Sequence, residues 1–346
     1  MKEVWKYLTP ILALLSPCID VELFKAYLLG LIQDDRYWSV FGLSRRTERY
    51  GGGRLYGILQ MPIAWEVIFY TFAKWFVGKG EGWFLILDGS PLEQKHARFR
   101  IAKHGHISIE GKKRVPHNQI ISLILSNGVV QIVLDYRIWI SPKIARKKDY
   151  RKQTEFALDL IKRCLFFKLP VKTIVFDNFF SSKRILNWLN AKGYKWTTRL
   201  KGNRVVYING KESRIQDMGL KIGDLIKAEL RGIPGTIQIL YIQHQNEIVY
   251  VATNDTSLNK QRLERAYRLR WKIEEFHRES KQQLGLEYLW MRNYRALYNH
   301  VGFVCLAFSI LSVVRHDPRM SIGDMKRRIQ NELYSTHDGI GPLRSF

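Results

Sequence analysis

Four short apolar runs, "WFLILD", "QIISLIL", "VVQIVLDYRIWI" and "VKTIVFD", lie between Trp83 and Asp177 and restrict the fold more than any other feature of the chain. Runs this short, rich in Ile, Val and Leu and bounded by polar turns, have the pattern of buried strands. Between the third and fourth stands "QTEFALDLIKRCLFFKL", whose apolar residues recur with a helical period. Strands, a helix and then another strand predict a mixed sheet covered by helices, an α/β fold.

The rest of the chain divides around that block. Residues 1–80 read as a helical N-terminal region interrupted by the basic, glycine-rich "SRRTERYGGGRLYG", which is either a turn between helices or a phosphate-contacting loop. Residues 81–194 hold the strand block and a further helix, "NFFSSKRILNWLNAKGY". From 195 to 253, five β-like stretches punctuated by Gly, Asn and Pro suggest a β-rich insertion. Residues 254–315 return to helix, and 316–346 read as a loosely attached tail. The lysines and apolar stretch of "MKEVWKYLTPILALLSPC" resemble a weak signal peptide, but Pro10 and Pro17 interrupt it and no small-residue cleavage site follows. A structural helix is the better reading. The longest uncharged run, Val301 to Val314, is shorter than the roughly 20 residues a membrane span needs and reads as a core helix, with no membrane partner.

Charge narrows the partner. Lys and Arg number 56 against 31 Asp and Glu, a formal charge of +25 that favours a polyanion, nucleic acid before a membrane surface. Cys18, Cys164 and Cys305 are scattered, odd in number and without metal spacing, which fits a reduced cytoplasmic protein with neither disulfide nor zinc.

Two strand candidates stop at an aspartate followed by small polar or turn-forming residues, Asp88 in "FLILDGS" and Asp177 in "TIVFDNFF". Strand ends present ligand groups where a rigid sheet meets an open loop, although an aspartate there is also an ordinary cap. Asp135 competes in "QIVLDYRIW", but its strand pattern continues, so a cross-strand partner or a solvent-facing position is expected for it. A third carboxylate comes from "YRLRWKIEEFHRESK", residues Tyr267 to Lys281. At about 100° per residue, Tyr267, Arg270, Glu274 and Lys281 share one narrow face, while Leu269, Ile273 and Phe276 form the apolar back. Glu275 points elsewhere. Such a face is either a solvated row of i,i+4 pairs or, with the two aspartates, a site for two Mg²⁺ ions on a phosphodiester. Arg270 and Lys281 would then hold phosphate.

The spacing Y-x2-R-x3-E-x6-K, met here by Tyr267, Arg270, Glu274 and Lys281, together with "LDGS" and "FDNFF", resembles the DDE transposases of bacterial insertion sequences, specifically the insertion-sequence-four group with its Tn-five-like enzymes. The resemblance covers about residues 83–290. It implies an RNase H-like core with Asp88, Asp177 and Glu274 as catalytic metal ligands, and a β insertion before the glutamate helix. It also implies two Mg²⁺ ions, replaceable by Mn²⁺. The expected partner is double-stranded DNA, both the element's terminal inverted repeats and the target, engaged by a homodimer. An aromatic side chain that holds a flipped base is part of the same expectation; Trp271 and Trp196 are the candidates, and each also reads as core. Arg199, Lys201 and Arg204 in "TTRLKGNR" are placed where the insertion could meet a DNA end. The run Ala145 to Lys152, "ARKKDYRK", is either a solvated helix start or a phosphate contact. His104 and His106, with His117 nearby, could suggest a metal site, but the first two read as solvated histidines of a basic loop. Rival readings are an RNase H-like nuclease or resolvase without strand transfer, and a catalytically silent DNA-binding relative.

Overall fold

A computed structural model describes residues 2–33, 40–47, 50–77, 82–93, 103–107, 114–142, 145, 150–244, 247–288, 293–315, 317 and 319–335. The predicted strand block forms the sheet's centre. Strand β1 (Phe84–Glu93) pairs antiparallel with β3 (Arg114–Ser126), and β3 pairs antiparallel with β4 (Gln131–Trp139). On its other side β1 runs parallel to β5 (Thr173–Phe176), which runs parallel to β6 (Lys195–Leu200). The crossover from β4 to β5 is α6 (Gln153–Phe166), whose buried Ala157, Leu158, Leu160, Ile161 and Cys164 carry the expected helical period. Helix α7 (Lys183–Ala191) connects β5 to β6 and is capped by Ser182, which accepts from the Ile185 N–H.

The β-rich region does not stand apart. Its strands β7 (Val205–Ile208), β8 (Lys211–Arg214), β9 (Leu225–Leu230), β10 (Thr236–His244) and β11 (Glu247–Thr253) extend the same sheet, with β11 antiparallel to β6, to give eleven strands among the described residues. The segment beginning at residue 195 therefore opens with a strand of the central sheet, because the parallel β5–β6 ladder recruits it. Another strand, β2 (Lys103–Ile107), pairs with the start of β3, so the backbone of His104 and His106 lies in a ladder rather than a loop.

Five helices, α1 (Lys2–Leu12), α2 (Val21–Gln33), α3 (Val40–Thr47), α4 (Gly52–Ile58) and α5 (Trp65–Val77), precede the sheet. After β11 come α8 (Lys260–Arg268), α9 (Trp271–Gln283), α10 (Tyr294–Val314) and α11 (Ile322–Ser335). By length and composition α10 could cross a membrane, but its most apolar stretch is 89% buried inside the protein, and it packs on α2 and β4 as a core helix. The expected loose tail is a helix over much of its length. Ile322, Met325 and Ile329 of α11 are buried, and the Lys326 ammonium donates to the Leu31 carbonyl at 3.0 Å. Residues 336–346, with "HDGIGP", lie outside the described residues, as do 146–149 of the basic run.

A close seam joins α10 to α5. The Trp65 indole N–H donates to Asn299 Oδ1 at 2.9 Å, and a Cβ added to Gly302 would meet the indole at 2.2 Å. Gly302→Ala should therefore overpack the core and cost at least about 1–3 kcal/mol, read as a lower midpoint of denaturant unfolding.

Candidate active site

Asp88 and Asp177 meet through strand register. The parallel pairing of β1 with β5 ends at Leu87 opposite Phe176, so Asp88 and Asp177 are the next residues on adjacent strands, level with each other. Adjacent strands lie about 4.8 Å apart, which puts side chains at one height on one face. Asp88 does not close its strand as expected. The antiparallel pairing with β3 carries β1 on to Glu93, and only the β5 side opens at Asp88. Asp177 does stand at a strand end, directly after β5 and before the short 3-10 turn Asn178–Phe180.

Glu274 comes from α9, which packs against β1. The expected single helix is two: α8 ends at Arg268, α9 starts at Trp271, and Leu269 and Arg270 keep helical dihedrals between them. The shared face survives the break because those dihedrals preserve the phase. The Arg270 guanidinium lies 5.8 Å from the Tyr267 ring centre, and it bridges Asp88 Oδ2 at 3.2 Å and Glu274 Oε1 at 2.5 Å. Ile273 and Phe276 form the buried back.

Asp177 and Glu274 both lie near enough to Asp88 for their charges to be felt there. Burial pushes the Asp88 carboxyl up to about 6; Arg270 and the Gly89 N–H, which donates to Asp88 Oδ1 at 2.8 Å, oppose this, while Asp177 and Glu274 add to it by repulsion. Burial also raises the Tyr267 hydroxyl, with Asp177 contributing and Arg270 and Arg199 opposing. The Asp177 carboxylate has no hydrogen-bond or ion-pair partner among the described residues.

An oxygen-only donor set in a partly buried site suits a hard divalent cation. Among the described residues no three His, Cys, Asp or Glu side chains form a ready cage. The guanidinium of Arg270 stands between Asp88 and Glu274 and balances their charge. The donors fit such an ion by the chemistry of their oxygens.

Other expected site residues separate. The Lys281 ammonium donates to the Pro91 carbonyl at 2.6 Å and pairs with Glu287 at 3.0 Å, so it fixes α9 to β1. Trp196 is not a base wedge. Its ring is 0% exposed and its N–H donates to Asn190 Oδ1, because β6 is an internal strand. Trp271, at the first turn of α9, is 41% exposed. Arg199 lies on β6 near Tyr267, paired with Glu247 at 3.0 Å. Lys201 is exposed after β6, while Arg204 is half-buried, and burial lowers its pKa. Tyr267 is buried, which leaves it a support for Arg270 rather than a surface contact.

Several participants escaped the sequence reading. The His277 ring, buried, lies 3.3 Å from Ser122 Oγ, the ladder partner of Asp88, and so joins α9 to β3. Phe179, 54% exposed, stands two residues after Asp177. The only local signals were the "FH" and "FF" pairs, since the partners are distant in sequence.

Glu275 is structural. It pairs with Lys272 at 2.7 Å and with the nearly buried Arg315 at 3.4 Å, and Arg315 also donates to the Val129 carbonyl at 2.7 Å. Burial alone would raise the Glu275 carboxyl, but the two cations outweigh it and hold it low. Glu275→Gln should cost about 1.5–3 kcal/mol, the value of hydrogen bonds to charged groups. That loss would appear in chemical denaturation, with cleavage per folded molecule retained.

A mixed sheet ordered β4-β3-β1-β5-β6, flanked by helices, is the layout of an RNase H-like fold. Residues 79–310 match the transposase DDE domain family, and the chain belongs to that family. Among solved structures it is similar to the piggyBac transposase, seen by cryo-EM in a synaptic complex with hairpin DNA. The TM-score is 0.50 at 11% identity, covering 99% of this chain and 80% of that one, a likeness of fold. The NurA nuclease from Sulfolobus solfataricus also aligns, at TM-score 0.31 and 8% identity over 75% of this chain and 87% of that one. A comparison with curated protein sequences finds no match.

Proposed function

We propose that this protein is a DNA transposase of the insertion-sequence-four group that cuts at the terminal inverted repeats of its own element and joins the freed 3′ ends to target DNA. The observation that carries the reading is the convergence of Asp88, Asp177 and Glu274 around Arg270. In this reading water, then a 3′-hydroxyl, attacks phosphorus in line. Asp88, Asp177 and Glu274 would hold divalent cations, Mg²⁺ with Mn²⁺ as substitute, which activate the attacking oxygen and stabilise the leaving one. Gly89 fixes the Asp88 rotamer through its N–H. Arg270, beside the Tyr267 ring, pairs with Asp88 and Glu274 and would meet the scissile phosphate. Lys281 and His277 hold α9 in register with β1 and β3.

Residues 81–194 with β6 (Lys195–Leu200), and 254–315, would form the catalytic core, with the rest of the β-rich stretch up to 253 inserted before the glutamate helix and 1–80 contributing DNA contact. Two copies of the chain would act together in the DNA complex, within the cytoplasm of a bacterium. Arg199, Lys201, Arg204 and the exposed Trp271 are proposed DNA contacts.

The test mixes purified full-length protein with a labelled element end, a target plasmid and Mg²⁺. Joined products support the proposal. Cleavage without joining would favour a nuclease, and absence of cleavage with either Mg²⁺ or Mn²⁺ in a folded, DNA-binding protein would refute catalysis.

A further inference from the structure

Helix α8, "KQRLERAYR", is built on two opposed faces. Leu263, Ala266 and Tyr267 are buried against β10, β11 and β6, so one side is fully committed to the sheet. At about 100° per residue, Arg262, Arg265 and Arg268 fall within an arc of roughly 120° centred opposite that apolar side. All three are exposed.

The row is short of counter-ions. The helix holds one acid, Glu264, and it is taken by Arg268 at 2.5 Å. Neither Arg262 nor Arg265 has an acidic partner among the described residues, and nor does Lys260 at the start of the helix. Elsewhere exposed arginines are commonly paired, as Arg184 with Glu155, Arg231 with Glu212 and Arg319 with Asp317. A helix that binds nothing would gain from acids at i±4 on this face; α8 has none to spare.

Position gives the row its meaning. Helix α8 leads through Leu269 and Arg270 into α9, and at 1.5 Å per residue Arg262 lies no more than about 20 Å from Glu274 along the helical path. Duplex DNA carries one phosphate per 3.4 Å on each strand, so that distance corresponds to about six base pairs.

We infer that the outer face of α8, Arg262 and Arg265 with Arg268 beside them, is a track for the phosphate backbone of duplex DNA about half a helical turn from the bond that is cut. The inference rests on the proposed function for its partner and adds a surface to it. The contacts are to phosphate, so they set affinity and register on the duplex without reading sequence.

The test compares three full-length proteins in titrations of a labelled duplex of arbitrary sequence over a range of salt: wild type, Arg262→Gln/Arg265→Gln, and Lys74→Gln/Lys162→Gln. The last pair removes the same charge from exposed positions on α5 and α6. The arginine double variant should show a log affinity against log salt slope shallower by about 2, since each phosphate contact contributes about 0.9. The lysine double variant should keep the wild-type slope. An unchanged slope in the arginine variant, or an equal change in the lysine variant, overturns the inference while the transposase reading stands. Wild-type protein that binds duplex normally but never cuts it would remove the catalytic reading and leave the track. Failure of wild type to bind duplex DNA at all would end both.

Discussion

Glu274→Gln, Asp177→Asn and Asp88→Asn should each stop DNA cleavage while duplex binding persists. The three side chains are carboxylates in a partly buried site with a nearby cation, Arg270, so each substitution removes an expected cation ligand and leaves the DNA surface in place. A bound divalent ion supplies several kcal/mol of transition-state stabilisation, and at 1.36 kcal/mol per tenfold the expected loss is about a thousandfold or more. Asp88→Asn carries a second signature. Because burial and the neighbouring carboxylates make its charge unfavourable, neutralising it should preserve or increase stability. A functional group held at the expense of the fold behaves this way. Measurement of cleavage rate and unfolding midpoint on one preparation checks both expectations. Near-normal cleavage by any of the three would remove that residue from the site.

Asp135→Ala should do the reverse: the protein should lose about 3–5 kcal/mol of stability, and the fraction that folds should still cut DNA. Asp135 is 0% exposed in β4 and pairs with Arg137 at 2.8 Å and with Arg163 of α6 at 3.2 Å, while Arg163 also reaches Glu66 of α5 at 3.6 Å. The same carboxylate accepts the Tyr136 N–H at 2.8 Å. Burial raises its pKa, and Arg137 and Arg163 oppose that rise. Removing one partner of a buried ion pair leaves the other charge uncompensated, which is the costly case. Urea unfolding measures the stability, and the cleavage rate normalised to folded protein measures the chemistry. A folded Asp135→Ala protein as inactive as the Asp177 variant would show that β4, and not β1 with β5, carries the catalytic carboxylate.

These two predictions concern aspartates that look alike in sequence. Each follows an apolar run, and local pattern ranked Asp135 below Asp88 because its strand continues beyond it. The structure shows that the strand of Asp88 continues too. What distinguishes them is the neighbour: β1 faces the open end of parallel β5, whereas the Asp135 side chain lies against Arg137 and Arg163. Residues far apart in the chain made that difference, so no local window could hold it.

What the sequence determined by itself is whatever depends on periodicity and short spacing. The apolar runs specify β1, β3, β4 and β5, the helical period specifies α6, and the phase of "YRLRWKIEEF" aims Arg270 and Glu274 in one direction even though the helix breaks at Leu269. Those properties are set by neighbours within a few residues. Only the tertiary structure decided which aspartates stand level, that Lys281 is bound to Pro91 and Glu287, that Trp196 is core and Trp271 surface, and that Glu275 anchors Arg315. Each depends on strand register or helix docking, such as the Arg270–Asp88 contact across 182 residues. A polar side chain's role is fixed by the charge and burial that the fold brings to it, and the sequence near that residue does not contain them.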